Sequence, residues 1–144
     1  MQLRYYRSTD LNEIYDLARR SLREKYNPSI FIELPPYWPQ GLIVLEEMDR
    51  IVGFIFGIMT SNIEARILML AVSQERRGQG LGTLLSEQFF MECSKKGARV
   101  VSLEVRVSNT SALKFYQRRG FSISDRFPHY YSDGEDGFQL QLFL

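Results

Sequence analysis

Hydrophobic and polar positions alternate with two different periods along the chain, and together they predict strands interleaved with helices. Gln2 to Arg7 fits a first strand. Helical spacing then separates the next apolar residues, Leu11, Ile14, Ala18 and Leu22. Asp10 and Glu13 have the spacing of a capping box, so we expect the helix to begin there.

The segment from Asn27 to Gly41 shows neither period. A long helix is forbidden there by four prolines, Pro28, Pro35, Pro36 and Pro39. It also contains the aromatic residues Phe31, Tyr37 and Trp38, which are atypical of an exposed linker. We therefore expect a short helical turn followed by a packed loop.

Three strands are predicted in the middle of the chain. Leu42 to Glu46 and Ile51 to Thr60 are apolar runs on either side of a polar turn at 47–50, which is the pattern of a β-hairpin. Ala65 to Ser73 is a further apolar run. Antiparallel pairing of all three strands is the simplest arrangement.

The second half of the chain predicts two more helices and three more strands. The first helix runs from Gly80 to about Lys96 and ends at Gly97. Its inward-facing residues are expected to be Leu81, Leu84, Leu85, Phe89 and Cys93. The later elements are a strand from Arg99 to Val107, a helix from Asn109 to Arg119, and strands from Phe121 to Phe127 and Phe138 to Phe143. No repeat or linker interrupts this order, so residues 1–144 are predicted to form a single α/β (α+β) domain.

Composition and charge exclude several function classes. The chain has 18 Lys and Arg against 17 Asp and Glu, a net charge of +1, which argues against general binding to nucleic acid or to a membrane surface. Cys93 is the only cysteine, so no disulfide can form within the chain, and we expect no metal site because no Cys/His cluster has suitable spacing. The chain shows neither a signal-peptide pattern nor an apolar stretch near the roughly 20 residues that span a bilayer. We therefore expect a cytoplasmic protein.

A glycine-rich turn stands where the third middle strand ends and a helix begins. Leu70-Ala71-Val72 is followed by Arg76-Arg77-Gly78-Gln79-Gly80-Leu81-Gly82. Glycines let backbone N–H groups converge, and the helix N-terminus and two arginines add positive charge. A tight turn with two solvated arginines is the simpler interpretation. Three alternate glycines exceed what a turn needs, however, so we favour phosphate binding.

Two other phosphate-binding motifs fit this turn less well. A P-loop ends in Gly-Lys-Ser/Thr, which is absent here. A dinucleotide fingerprint needs glycine where Thr83 stands, although Glu104 follows at a suitable distance, so that alternative stays open. It is weakened because the motif opens a parallel βαβ unit, whereas hairpins precede this turn.

Residues 77–82 resemble the Q/R-x-x-G-x-G/A signature of the GNAT N-acetyltransferases, and the order of predicted elements agrees with that family over nearly the whole chain. The resemblance implies a mixed, largely antiparallel sheet of about seven strands flanked by about four helices. It also implies that the backbone amides of the turn hold the pyrophosphate of acetyl-coenzyme A. The residues expected to bind this cofactor are Leu70, Ala71, Val72, Arg77, Gly78, Gln79, Gly80, Leu81, Gly82, Thr83, Asn109 and Tyr116.

Glu104 is a candidate catalytic residue. It lies mid-strand, on the face opposite the alternating residues Val101, Leu103 and Val105, where a carboxylate is costly to bury without a partner. A salt bridge with Arg106 or with a neighbouring strand is the structural alternative. A glutamate in the same L-E-V-R context serves the GNAT family as general base, so the resemblance implies that role for Glu104.

The segment from Asn109 to Tyr116 matches the family's N-x-x-A-x-x-x-Y pattern. Asn109 can cap a helix, and the resemblance implies that it also binds the pantetheine arm. Tyr116 is either a core aromatic residue or, by resemblance, the general acid that protonates the leaving thiolate. A backbone N–H near Val72 is expected to meet the oxyanion. Cys93 fits a core position, and His129 is a weaker candidate base than Glu104.

Residues 130–137 resemble the Y-Y-x-D-G-E-D-A segment of the RimI-like N-terminal protein acetyltransferases, with Gly137 in place of alanine. The resemblance implies that Tyr130 and Tyr131 grip the first residues of a protein N-terminus. On the opposite wall, Glu24 or Tyr26 would anchor the substrate, and Phe31 with Ile32 would line a pocket for its first residue. A hairpin turn with tyrosines packed on the sheet is the structural alternative.

The expected activity is therefore acetyl transfer from acetyl-coenzyme A to the free α-amino group of a protein or peptide N-terminus. Ribosomal proteins are possible partners, and a monomer or weak homodimer is expected. Acetylation of a small amine or a lysine side chain would use the same cofactor-binding residues and is the alternative activity. A non-enzymatic module that binds coenzyme A or a nucleotide is the more distant alternative.

Overall fold

A computed structural model of the chain describes all 144 residues. Its strands are β1 (Gln2–Tyr5), β2 (Leu42–Glu47), β3 (Arg50–Met59), β4 (Glu64–Val72), β5 (Val100–Arg106), β6 (Ser122–Phe127) and β7 (Gly137–Phe143). Its helices are α1 (Leu11–Ser21), α2 (Ile30–Glu33), α3 (Leu81–Lys96) and α4 (Thr110–Arg118). The strands form one sheet in the order β1-β2-β3-β4-β5-β7-β6, in which only the β4–β5 pair is parallel. The predicted fold class is confirmed.

The hairpin between β2 and β3 is tighter than predicted. Its loop is only Met48 and Asp49, and both have positive φ, which is the geometry of a two-residue hairpin turn. Glu47 and Arg50, predicted as turn residues, instead pair with each other across the two strands. Neither loop residue is glycine, so the sequence lacked the usual mark of this turn.

The parallel strands β4 and β5 pair only over a short length. Glu64–Arg66 is aligned with Val100–Ser102, and no pairing continues beyond them. On its other edge β4 shifts register against β3, so that Leu68 is an extra residue, a β-bulge. The sheet thus opens into a wedge-shaped cleft between two half-sheets, β1–β4 and β5–β7.

Two hydrophobic clusters cover the two faces of the sheet. The α3 and α4 side buries Leu81, Leu85, Phe89, Cys93 and Tyr116, and the α1 and α2 side buries Ile14, Leu17, Phe31, Phe54 and Phe56. The prediction for Leu84 is wrong, because this side chain is 39% exposed. The buried stripe of α3 advances in steps of four residues, which leaves position 84 at its margin.

The predicted capping box is also wrong. The carboxylate of Asp10 accepts a hydrogen bond from the backbone N–H of Arg7 at 2.8 Å and pairs with Arg4 at 2.8 Å. Glu13 accepts from the backbone N–H of Ile51 at 2.7 Å. The two acidic residues therefore fasten the start of α1 to β1 and β3 rather than to each other.

None of the helices combines the length and the apolar composition that crossing a bilayer requires.

Candidate active site

The cleft between the half-sheets exposes main-chain groups of β4. The N–H of Ser73 donates to the carbonyl of Val52 on β3 at 2.8 Å. Main-chain groups alternate between the two edges of a strand, so the N–H and C=O groups of Val72 and Leu70 point the other way, into the cleft. Because β5 does not pair with them, an extended ligand that carries amides can bind there as an added strand would.

The glycine-rich turn and the first turn of α3 line the mouth of this cleft. Gly78 and Gly80 both have φ of 79°, a conformation that favours glycine, although a Cβ at either position would meet nothing within 4 Å. Gly82 is favoured for a different reason, since a Cβ there would lie 3.2 Å from the ring of Phe115, which would have to shift by a few tenths of an ångström. The turn thus keeps its backbone accessible beside a helix N-terminus, which is a suitable place for an anion.

Four arginines surround the glycine-rich turn: Arg76, Arg77, Arg118 and Arg119. The Nε atoms of Arg76 and Arg119 are buried and have no hydrogen-bond partner. Burial lowers the pKa of Arg119, whose guanidinium donates to Thr83 and to the carbonyl of Phe115. Arg76 forms an ion pair with Glu47, so Arg77, Arg118 and Arg119 are the cations beside the turn that remain for a diphosphate. The sequence analysis missed Arg118 and Arg119, although a pair of arginines directly before Gly120 could have indicated them.

Glu104 lies on β5 inside the cleft, and its side chain is only 8% exposed. Its carboxylate forms an ion pair with Arg66 of β4, so a salt bridge to a neighbouring strand is present. The hydroxyl of Tyr130 donates to Glu104 at 3.4 Å and accepts from Arg66 at 3.2 Å. The three side chains form a closed triangle. Sequence reasoning did not single out Arg66, because only the pairing of β4 with β5 brings it to Glu104.

Tyr116 projects from α4 and lines the cleft. Its ring packs edge-on against Phe115 and Phe121 at centroid distances of 5.1 and 5.4 Å. Burial raises the pKa of its hydroxyl, which no hydrogen bond within the chain holds. Tyr116 is therefore both a core residue and a free donor. Asn109 caps α4 by accepting from the N–H of Ala112 at 3.3 Å, and it also lines the cleft.

Arg106 joins the two walls at one end of the cleft. It pairs with Glu24 at 2.8 Å on one wall, and with Asp133 at 2.7 Å and Glu135 at 2.9 Å on the other. Its guanidinium also lies 4.3 Å from the ring centroid of Tyr131. Arg106 therefore does not pair with Glu104, which was one alternative in the sequence analysis, but connects the segment after α1 to the loop before β7.

The candidate substrate residues separate into two groups. Glu24, Tyr26 and Tyr131 line the cleft, and Tyr26 donates to the carbonyl of Leu68, the bulged residue of β4, at 3.3 Å. Burial raises the pKa of both tyrosines. Phe31, in contrast, is 2% exposed and packs on Phe54 and Phe56 in the core, whereas Ile32 is 60% exposed. Ile32 lines neither the cleft nor the neighbouring cavity that Phe31 lines, so the two side chains do not form a pocket together.

Cys93 and His129 lie outside the cleft. Cys93 is fully buried in α3, and burial raises the pKa of its thiol to about 12, so it is an unreactive core residue. One ring nitrogen of His129 lies 3.0 Å from the carbonyl of Gly134, within the loop before β7. Both placements agree with the sequence analysis.

Comparison with known proteins identifies the family. Residues 11–121 match the Acetyltransferase (GNAT) family. The chain belongs to this family of acetyltransferases. The GNAT enzyme is 31% identical to N-alpha-acetyltransferase 30 of Schizosaccharomyces pombe, over 92% of this chain and 91% of that protein. The predicted family and transferase class are confirmed.

Solved GNAT structures share the whole fold. Ard1 from Thermoplasma volcanium has a TM-score of 0.94 and 34% identity, covering 99% of this chain and 97% of that one. The ribosomal-protein-S18-alanine N-acetyltransferase from Escherichia coli has a TM-score of 0.84 and 26% identity, covering 99% and 92%. The two half-sheets and their cleft therefore belong to an architecture that spans the entire chain.

Proposed function

We propose that this GNAT enzyme transfers the acetyl group of acetyl-coenzyme A to the free α-amino group of polypeptide N-termini. The observation that carries the proposal is the grouping of tyrosines around Glu104, with Tyr26 on one wall and Tyr130 and Tyr131 on the other. Tyrosines offer apolar faces with hydroxyl groups at their ends, which suits a peptide main chain. The names of the yeast and bacterial relatives support the same acceptor.

The cleft offers binding groups for two parts of acetyl-coenzyme A, the amide-bearing arm and the diphosphate. The amide-bearing arm would bind the main-chain N–H and C=O of Leu70 and the N–H of Val72, with Asn109 beside them. The carbonyl of Val72 already accepts from Nε of Arg77 at 3.2 Å. The diphosphate would bind the turn at 77–82 and the guanidinium groups of Arg77, Arg118 and Arg119, which line the cleft beside it. Acetyl-coenzyme A supplies an acetyl group activated as a thioester. The N–H of Val72 would donate to the thioester carbonyl oxygen, where negative charge develops.

Glu104 and Arg66 together control the charge at the amine. A terminal ammonium has a pKa near 8 and must lose its proton before it attacks. We infer that Glu104 takes this proton, directly or through water. The cation of Arg66 offsets the carboxylate, so the pair does not hold the amine in its charged form. The neutral nitrogen then bonds to the acetyl carbon and loses its second proton to solvent. The carbon–sulfur bond breaks, and its electron pair leaves on the sulfur as a thiolate.

Tyr116 is the side chain in the cleft best suited to donate a hydrogen bond to the departing sulfur. A thiol has a pKa near 8.5, below that of a phenol even in water. Because burial raises the pKa of Tyr116 further, complete proton transfer to the thiolate is unfavourable. We propose that Tyr116 stabilises the thiolate mainly by donating a hydrogen bond, which leaves the final protonation to solvent.

We infer that ribosomal proteins are among the substrates, since the Escherichia coli relative is named for one of them. A single unpaired cysteine fits a reducing compartment, so we infer that the enzyme works in the cytoplasm.

The test is release of coenzyme A thiol with a panel of peptides. Free-amine peptides would vary the first residue, and α-acetylated copies with an internal lysine would serve as controls. We expect release only with free N-termini, and Glu104→Gln should lower kcat about 100-fold or more. Asp49→Asn, in the exposed β2–β3 turn, is the matched control and should have no effect. Turnover of the blocked lysine peptides alone, or of small amines alone, would refute the proposed acceptor.

A further inference from the structure

A cavity of about 560 Å³ lies beside the cleft, between the C-terminal end of α1 and α2. Its apolar and aromatic lining comes from Tyr15, Ala18, Leu22, Tyr26 and Phe31. Its polar lining comes from Arg19, Arg20, Arg23, Glu24 and Lys25. None of the groups proposed to take part in the chemical step lines this cavity.

The cavity carries an excess of positive charge. Glu24 is its single acidic residue, and that carboxylate is already bound to Arg106 at 2.8 Å. Arg23 and Lys25 form no ion pair within the chain. Arg19 and Arg20 share Asp16 through exposed pairs at 3.2 and 2.9 Å, which contribute little and leave both cations available. A chain with a net charge of only +1 thus concentrates four cations at one cavity.

The cavity is continuous with one wall of the cleft. Leu22, Arg23, Glu24 and Tyr26 line both spaces, so the segment 22–26 is the partition between them. An extended peptide advances roughly 3.3 Å per residue. A substrate whose first residue lies at Glu104 and whose chain runs toward segment 22–26 would reach this partition within a few residues.

We propose that this cavity binds acidic side chains of the polypeptide substrate, a few residues downstream of the acetylated α-amino group. The inference rests on the proposed function and extends it to a class of substrate. Carboxylates would pair with the free cations, and their aliphatic parts would contact the aromatic rings. A nucleic acid is the less suitable occupant, because its phosphates call for a broad basic surface rather than one cavity on a nearly neutral chain.

The test compares two free-amine peptides that differ only in three Glu or three Gln residues at about the fourth to sixth positions. We expect kcat/KM to be about 3- to 10-fold higher for the Glu peptide at low salt, the size that a few exposed charge pairs produce, and to converge at high salt. Arg20→Gln with Lys25→Gln should remove the preference, because both residues line the cavity but not the cleft. Lys95→Gln with Lys96→Gln removes two exposed charges at the far end of α3 and should preserve it.

Binding measured without turnover separates this inference from the proposed function. A fluorescent α-acetylated Glu peptide should bind the wild type and the Lys95/Lys96 variant, and bind the Arg20/Lys25 variant several-fold more weakly. Equal kcat/KM for the two peptides, or equal binding by all three proteins, would overturn the cavity's role. Tighter binding of an RNA oligonucleotide that depends on Arg20 and Lys25 would also overturn it. Selective binding with no acetylation of any peptide would instead refute the proposed function, and with it the assignment of the cavity to substrate.

Discussion

At the scale of single residues, the proposed deprotonation of the amine depends on the ion pair between Glu104 and Arg66. A lone buried carboxylate beside the α-amino group would stabilise the ammonium and so delay its deprotonation. Other charged and titratable groups near Glu104 are Tyr130 from the loop before β7, Tyr26 and Glu24 from the segment after α1, and Arg106 and Tyr131 beyond them. Arg66 is the only cation that forms an ion pair with Glu104 directly.

Arg66→Gln should therefore move the acidic limb of the kcat–pH profile to higher pH. Without the arginine the carboxylate stabilises the bound ammonium, so its pKa in the complex rises by about 0.5–1 unit. Steady-state kcat measured from pH 6 to about 10 checks this. Arg66→Lys retains the charge and should retain the wild-type limb. A limb that stays in place in Arg66→Gln would show that Arg66 does not set the charge of the amine.

Tyr116→Phe tests the hydrogen bond to the departing sulfur. We expect kcat to fall about 10- to 100-fold while the Kd for acetyl-coenzyme A changes little, since the ring packing is kept. Because its pKa is raised above the ordinary value of 10, Tyr116 stays protonated through pH 10, so wild-type kcat should show no alkaline decline below that pH. An unchanged kcat in single-turnover experiments would assign the stabilisation to another group.

Part of this site could be predicted from the sequence, whereas the rest could not, for a physical reason. Glu104 and Tyr116 could be proposed because each stands in a short local motif that resembles one of the GNAT family. Arg66 has no such pattern, since its importance arises only when β4 lies beside β5. Ile32 misleads in the opposite direction: the resemblance paired it with Phe31 in a pocket, yet it is 60% exposed and only Phe31 lines a cavity.

At the scale of elements, β3 and α3 approach so closely that one position must be glycine. A Cβ at Gly57 would overlap the ring of Phe89 and would lie 2.9 Å from the carbonyl of Arg66. Gly57 is also aligned with Ile67, directly beside the bulge at Leu68. The same contact therefore sets the distance between helix and sheet and supports the strand that forms the cleft wall.

Gly57→Ala should lower the free energy of unfolding by about 1–3 kcal/mol, because the added methyl group overfills a packed interior. Denaturant unfolding of Gly57→Ala, Phe89→Leu and the double variant measures this. The smaller side chain makes room for the methyl group, so the double variant should lose less stability than the sum of the single variants. Strict additivity would show that the two residues do not share this space.

The elements themselves were largely predictable from periodicity, whereas their connections were not. The stripe of α3 and the alternation of β5 reflect burial, which the sequence records position by position. The two-residue turn at Met48 and Asp49 has no glycine to mark it, and Glu13 bonds to the backbone of Ile51 on a different strand. Such contacts depend on the assembled sheet rather than on neighbours in the chain.

At the scale of the whole molecule, the two half-sheets pair along only three residues each, from Glu64–Arg66 and Val100–Ser102. Arg106 adds ionic links between the walls at one end of the cleft. A ligand that bonds to the free edge of β4 would complete the interior of the sheet. Occupation of the cleft should therefore stabilise the entire fold and not only the residues that line it.

Acetyl-coenzyme A at about 100 times its Kd should stabilise the enzyme by about 2.7 kcal/mol and raise Tm by roughly 5–10 °C. Thermal unfolding monitored by circular dichroism, with and without ligand, measures the shift. Val72→Pro removes an N–H that faces the cleft and makes no bond to β3, so this variant should show a smaller shift relative to its own ligand-free Tm. An equal shift would indicate that the N–H of Val72 is not used.

The proposed binding of the acetyl donor by main-chain groups of Leu70 and Val72 also has a consequence for how such an enzyme can evolve. Every residue except proline offers the same N–H and C=O, so side chains at these positions can change under packing constraints alone while the groups that meet the acetyl donor persist. Selection on the donor site then acts on the path of the strand, through the bulge at Leu68 and the divergence from β5. The side chains on the opposing walls are correspondingly free to diversify toward new acceptors without rebuilding the donor half.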